Sequence, residues 1–189
     1  MNEHIINIRQ AEKRDSRTIA KVVAMAIGDE NAMRQYCGDE YITLLTEIAE
    51  NENSQYSYHN TLIAEIDDKP IGAIIGYDGA KLHELRTRTY SIIQNALGRT
   101  PSIPDETEAG EFYLDSIAVF PEYQGKGIGR KLITAMQEKA FNEGYKRIGL
   151  IVDFDNPKAE KLYTSLGFSR VGTKIFLEHK MWHLQSTRP

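Results

Sequence analysis

Phe112-Tyr113-Leu114-Asp115-Ser116-Ile117-Ala118-Val119-Phe120, and then Gln124-Gly125-Lys126-Gly127-Ile128-Gly129, is the passage that decides the fold. The first run has the length and the aromatic and β-branched content of a strand. Behind the glycines, Ile128, Leu132, Met136 and Lys139 fall four, four and three residues apart, with Ile133, Ala135 and Ala140 widening the stripe. That period predicts a helix from Ile128 to Asn142 or Glu143. The order is strand, glycine loop, helix.

Gly125, Gly127 and Gly129 keep Cβ atoms clear of the loop and let backbone N–H groups face an anion at the helix start, where the macrodipole also favours negative charge. A dinucleotide fingerprint would require a glycine where Arg130 stands, and a P-loop would require Ser or Thr where Gly127 stands. The remaining pattern, Gln124-x-x-Gly127-x-Gly129, resembles the acetyl-CoA pyrophosphate loop of the GNAT superfamily of N-acetyltransferases.

A second segment supplies the partner that this loop requires. Arg147-Ile148-Gly149-Leu150-Ile151-Val152 reads as a buried strand and Asp153-Phe154-Asp155 as a turn. Asn156 is placed as a helix N-cap with Pro157 at the first helical position, and Gly167 closes the helix. Ala159, Leu162, Tyr163 and Leu166 share one face. The run Asn156 to Phe168 matches the other GNAT signature, Asn-x-x-Ala-x-x-Leu-Tyr-x-x-x-Gly-Phe, without a gap.

The rest of the chain alternates in the same manner. Ile5 to Arg9 predicts a short strand, and Ile19, Val22, Val23 and Ala26 a helix; a second helix is expected from about Glu40 to Glu50. Thr61–Ile66 and Ile71–Tyr77 predict a hairpin around the turn Asp67-Asp68-Lys69-Pro70, and Gly172–Leu177 with Lys180–Leu184 a final strand pair. Asp78 to Gly110 is longer than a direct connection requires: Leu82, Leu85, Tyr90, Ile93 and Leu97 predict helix in its first half, and Gly98, Pro101 and Pro104 a loop in its second. The expected fold class is α/β, one GNAT-like domain over residues 1–189. A mixed, mostly antiparallel sheet is flanked by helices, with the 78–110 insert between the third and fourth strands expected to cover the acceptor side.

Composition agrees without selecting this fold. The 189 residues, 41% of them hydrophobic, suit one sizeable core. A net charge of −4 gives no basic footprint for nucleic acid, and no apolar run is long enough to span a bilayer. One cysteine, Cys37, rules out an internal disulfide and suits a reducing, cytoplasmic compartment. The histidines have no zinc spacing, so no metal is expected. A homodimer is compatible with all of this.

The chemistry comes by resemblance. Acetyl transfer to an amine requires a neutral amine, a polarised thioester carbonyl and a proton for the departing thiolate. The family implies acetyl-CoA as cosubstrate, held by main-chain groups of Ile117, Ala118 and Val119 on the motif strand and by Gln124, Gly125, Lys126, Gly127, Ile128 and Gly129. Arg130, Asn156 and Lys161 stand beside it. Tyr163 falls where the family places a phenol near the sulfur, and is the implied general acid. Alternation puts Glu111, Tyr113 and Asp115 on one strand face if no bulge intervenes, so the base is Glu111, Asp115 or water. The acidic run Asp105-Glu106-Thr107-Glu108, together with Glu111, would attract a cationic amine, and Tyr56, Tyr58, Tyr77 and Tyr113 are candidates for lining its pocket. The acceptor is a small-molecule or peptide amine of unspecified identity. A CoA-binding sensor without turnover, and transfer of another acyl group, are the alternatives.

Overall fold

The computed structural model describes residues 5–188. Its strands are β1 (Asn7–Gln10), β2 (Thr61–Ile66), β3 (Lys69–Asp78), β4 (Phe112–Val119), β5 (Arg147–Asp153), β6 (Ser169–Phe176) and β7 (His179–Thr187). Its helices are α1 (Ser16–Ile27), α2 (Glu30–Cys37), α3 (Tyr41–Ala49), α4 (Leu82–Leu97), α5 (Ile128–Asn142) and α6 (Pro157–Thr164). One seven-stranded sheet has the order β1-β2-β3-β4-β5-β7-β6, and every neighbouring pair is antiparallel except β4 with β5. The mixed α/β architecture is the expected one, with the insert between β3 and β4. Among the described residues no helix is long and apolar enough to cross a membrane.

The sheet separates two cores. On one face Ile63, Ala73, Ile75, Tyr77 and Tyr113 pack with Ile19, Val23, Leu45 and Ile48 of α1 and α3 and with Ile93 of α4. On the other, Ile74, Phe112, Leu114, Ile148 and Leu150 pack with Ile128, Leu132, Ile133 and Met136 of α5. Alternation along β3 and β4 therefore feeds both sides, which is why those central strands read as nearly continuous apolar runs. Each fully buried Ile or Leu contributes roughly 1.5–3 kcal/mol to this arrangement.

The boundaries shift at a few places. The first strand starts at Asn7, not Ile5, and Met1 to His4 lie outside the described residues. The β2–β3 turn is tighter than the expected four residues: Asp67 and Asp68 alone form it, both in the left-handed region with φ 49° and 60°. β3 then begins at Lys69, and Pro70 is tolerated beside a register shift between Ala64 and Glu65. Helix α2 has no counterpart in the sequence reading.

Candidate active site

β4 and β5 exchange partners at only two positions, Phe112 with Ile148 and Tyr113 with Gly149. Beyond them the strands diverge. β4 continues to pair with β3 as far as Val119, so the edge of Leu114 to Val119 that faces β5 has no strand partner. A bulge lies at the point of divergence: Ser116 stands opposite Ile75 and Leu114 opposite Gly76, leaving Asp115 as the extra residue. Ile117 and Val119 then turn toward the α5 core, while Ala118 turns toward α1.

A cavity of about 30 Å3 opens in this gap, lined by Asp115, Ser116 and Ile117 of β4, Leu150 and Ile151 of β5, and Tyr163 of α6. Local sequence explains how Tyr163 reaches it. Asn156 Oδ1 accepts from the Ala159 N–H at 3.1 Å and Pro157 occupies the first helical position, which fixes the start of α6. Gly167, at φ 89°, then turns the chain into β6. The Tyr163 ring packs edge-on to Phe168 with centroids 5.9 Å apart. Its hydroxyl has no hydrogen-bond partner among the described residues, and burial pushes its pKa up to about 12. The phenol therefore stays protonated throughout the neutral range.

Next to the gap, the glycine loop exposes its main chain. Gly125 and Gly127 hold φ 77° and 75°, which favours glycine, and α5 begins at Ile128. The N–H groups of Gly125 through Arg130 find no acceptor in the chain among the described residues. Gly129 has no left-handed φ, and a Cβ added there would meet nothing within 4 Å. Neither backbone strain nor packing inside the chain requires glycine at 129, whereas close approach of a phosphate to its amide would. Gln124 Nε2 anchors the loop to Val119 O at 2.9 Å. Arg130 is held by Ser165 Oγ at 2.7 Å, Lys126 rests over the Tyr123 ring, and Lys161 is exposed. Donor amides, a bare glycine and an open strand edge fit a diphosphate with an extended arm.

The profile of the acetyltransferase (GNAT) family matches residues 30–168. The chain belongs to that family. Among its relatives, the mycothiol acetyltransferase of Kocuria rhizophila is 29% identical over 126 residues, which are 67% of this chain and 35% of that protein. The N-alpha-acetyltransferase RimI of Mycobacterium tuberculosis is 33% identical over 106 residues, 54% of this chain and 50% of that one. The chain thus spans about a third to a half of the curated relatives it matches. An N-acetyltransferase from Staphylococcus aureus Mu50 superposes with a TM-score of 0.84 at 28% identity, covering 95% of this chain and 99% of the other.

Within this GNAT site the two candidate carboxylates stand in different surroundings. Glu111 is 2% exposed and does not line the gap. It accepts from Gln185 Nε2 at 2.7 Å and from Thr107 Oγ1 at 2.7 Å, and His183 Nε2 lies 2.8 Å from it. Burial alone would raise its pKa, but these donors outweigh it and hold the carboxyl below its usual value. Asp115 lines the gap. It accepts from the Tyr77 hydroxyl at 2.6 Å, Gln55 Nε2 at 3.0 Å and Ser116 Oγ at 2.8 Å. Of the aromatic candidates, Tyr77 and Tyr113 pack edge-on beside Asp115, and Tyr56 is buried against the Tyr36 hydroxyl. Tyr58 turns away to Glu52.

The GNAT insert is part of the core. Leu82, Leu85 and Ile93 of α4 join the α1-side core. Arg86 gathers the loop behind them through Ile103 O at 3.1 Å, Pro104 O at 2.8 Å, Asp105 Oδ1 at 2.7 Å and the Glu106 carboxylate. Gln55, Arg86, His183 and Gln185 all buttress the site and escaped the sequence reading. Each lies far along the chain from its partner, and no local pattern marks any of them.

Proposed function

We propose that this chain transfers the acetyl group of acetyl-CoA to a primary amine by direct attack, with Tyr163 as general acid and Asp115 as base. The observation that carries this reading is that Tyr163 and the Asp115 bulge line one gap, beside a loop whose amides have no acceptor among the described residues. Ile117, Ala118 and Val119 offer an unpaired strand edge to the pantetheine arm, and Gly125 to Gly129 hold the diphosphate. Acetyl-CoA supplies the activated thioester. The residues supply the alignment, a carboxylate for the nitrogen's proton and a phenol for the sulfur.

Glu111, saturated with donors, is left as a strut. A covalent route is disfavoured because burial raises the pKa of the Cys37 thiol to about 12, and Cys37 does not line the gap. The 78–110 insert covers the acceptor side and brings carboxylates toward a cationic substrate, which is either a small molecule or a peptide amine. Relatives named for N-acetylation support the amine, and the single reduced cysteine suits the cytoplasm.

The test is release of free CoA from acetyl-CoA across a panel of primary amines. Tyr163→Phe is expected to lower kcat by about 100-fold with acetyl-CoA affinity retained. If acetyl-CoA binds but no amine raises CoA release above background, the transfer reading fails and a CoA-binding module remains.

A further inference from the structure

The insert contains a buried carboxylate, Glu106, to which the acetyl-transfer step itself, as laid out above, gives no task. Glu106 is 4% exposed, and Arg86, its partner on α4, is 5% exposed. One Glu106 oxygen meets the Arg86 guanidinium; the other accepts from Gln55 Nε2 at 3.2 Å. The same Gln55 nitrogen stands 3.0 Å from Asp115 Oδ2. A single side-chain amide thus draws together a buried carboxylate from the insert and a part-buried carboxylate from the β4 bulge.

Charge counting gives this juxtaposition its meaning. Among the described residues Arg86 is the only cation bonded to the cluster, and it also pairs with the half-exposed Asp105 at 2.7 Å. Tyr77 from β3, Tyr90 from α4 and Tyr113 from β4 face the pair with neutral phenols. The guanidinium is divided between Glu106 and Asp105 and does not bond Asp115, so the Glu106–Asp115 pair carries an excess of negative charge, the situation in which one carboxyl of a pair keeps its proton. Burial and the nearby Asp115 push the pKa of Glu106 up to about 8, against the pull of Arg86. A proton held at that level is exchangeable at working pH.

We propose that Glu106 and Asp115 form one proton-sharing carboxyl pair on the acceptor side of the gap. Asp115 receives the proton that the acceptor nitrogen sheds, and Glu106 acts through it as a positioning residue. The assignment rests on the acetyl-transfer reading. In the step the nitrogen lone pair forms the N–C bond and the C–S bond breaks. The N–H proton passes to Asp115, its electrons staying on nitrogen, and the Tyr163 proton passes to sulfur. Water then returns one proton from the pair to the Tyr163 phenolate, so protons balance without a further reactant. An ionised Glu106 places a second negative charge across the Gln55 amide and so favours the proton's arrival at the pair; a neutral Glu106 does not.

The pair is read directly by carbon-13 carboxyl NMR titration of the intact chain, alongside kcat against pH at saturating acetyl-CoA and amine. One carboxyl carbon is expected to titrate near 8 in the wild type, and that transition should move down in Asp115→Asn. Glu106→Gln should lose the inflection in kcat and about tenfold of the rate at its alkaline end. Its acetyl-CoA affinity should be unchanged, and Glu106→Asp should keep the inflection. The acceptor's own ionisation is common to all variants and cancels in the comparison. Both carboxyls titrating below about 5 in the wild type, or superimposable wild-type and Glu106→Gln profiles, would overturn the pairing. Absence of turnover with every amine would sink the parent reading instead, and with it the catalytic use of the pair, while the NMR titration reports on the shared proton by itself.

Discussion

The Glu111 carboxylate lies directly over Gly149: a Cβ built on that glycine would overlap the carboxyl group, with Oε1 only 2.7 Å away. Glu111 directly precedes β4 and Gly149 lies in β5, next to the short stretch where these two strands still pair. From there the carboxylate reaches over β5 to His183 and Gln185 of β7. Gly149→Ala should therefore cost more than an ordinary glycine substitution, because the side chain that must move is a buried anion with all its donors in place. A loss of about 3 kcal/mol is expected in urea unfolding. Glu111→Ala combined with Gly149→Ala should cost less than the two singles added together.

The same carboxylate sets an acid limit. Its folded pKa lies below the ordinary value of about 4.3, so the stability it contributes is fully present above that value. It is lost as pH falls through the lower, folded pKa. Glu111→Gln should lower stability near neutrality by about 1–3 kcal/mol and flatten the decline below about pH 4. Denaturant midpoints measured from pH 7 to pH 3 would show whether the wild-type and mutant curves converge at the acid end.

Glycines of the loop should separate fold from ligand. Gly127 sits at φ 75°, so Gly127→Ala is expected to cost about 1–2 kcal/mol in stability. Gly129 lies inside α5 with open space around it. Gly129→Ala should leave the melting temperature unchanged or raise it, by up to about 1 kcal/mol equivalent, while weakening acetyl-CoA binding about tenfold in calorimetry. Equal acetyl-CoA affinity in wild type and Gly129→Ala would remove the diphosphate from this helix start.

The two signatures are legible in the sequence because their information is local. Asn156 caps α6 through an amide three residues on, and Gly127 precedes its helix directly. Helix α2 is not legible for the opposite reason. Only eight residues separate its flanks, and Met33, Tyr36 and Cys37 are too few to establish a period. The alternation argument for Glu111, Tyr113 and Asp115 assumes no bulge, and the bulge at Asp115 leaves that residue on the expected side but gives Ser116 the same face. The Glu111 surroundings lay out of reach as well: two of its three donors stand 72 and 74 residues away. Glu106 reads as one member of an acidic surface run, and only the folding of α4 against that loop turns it inward beside Arg86.

A sheet whose middle is closed by two residue pairs is, mechanically, two half-sheets sharing a short seam, with the α5-side core packed against both. The sparsest strand pairing of the sheet therefore coincides with the gap proposed to take the ligand. Whatever fills that gap also serves as a rivet, so heat resistance becomes an indirect gauge of occupancy, rising with the logarithm of ligand concentration once the gap is saturated.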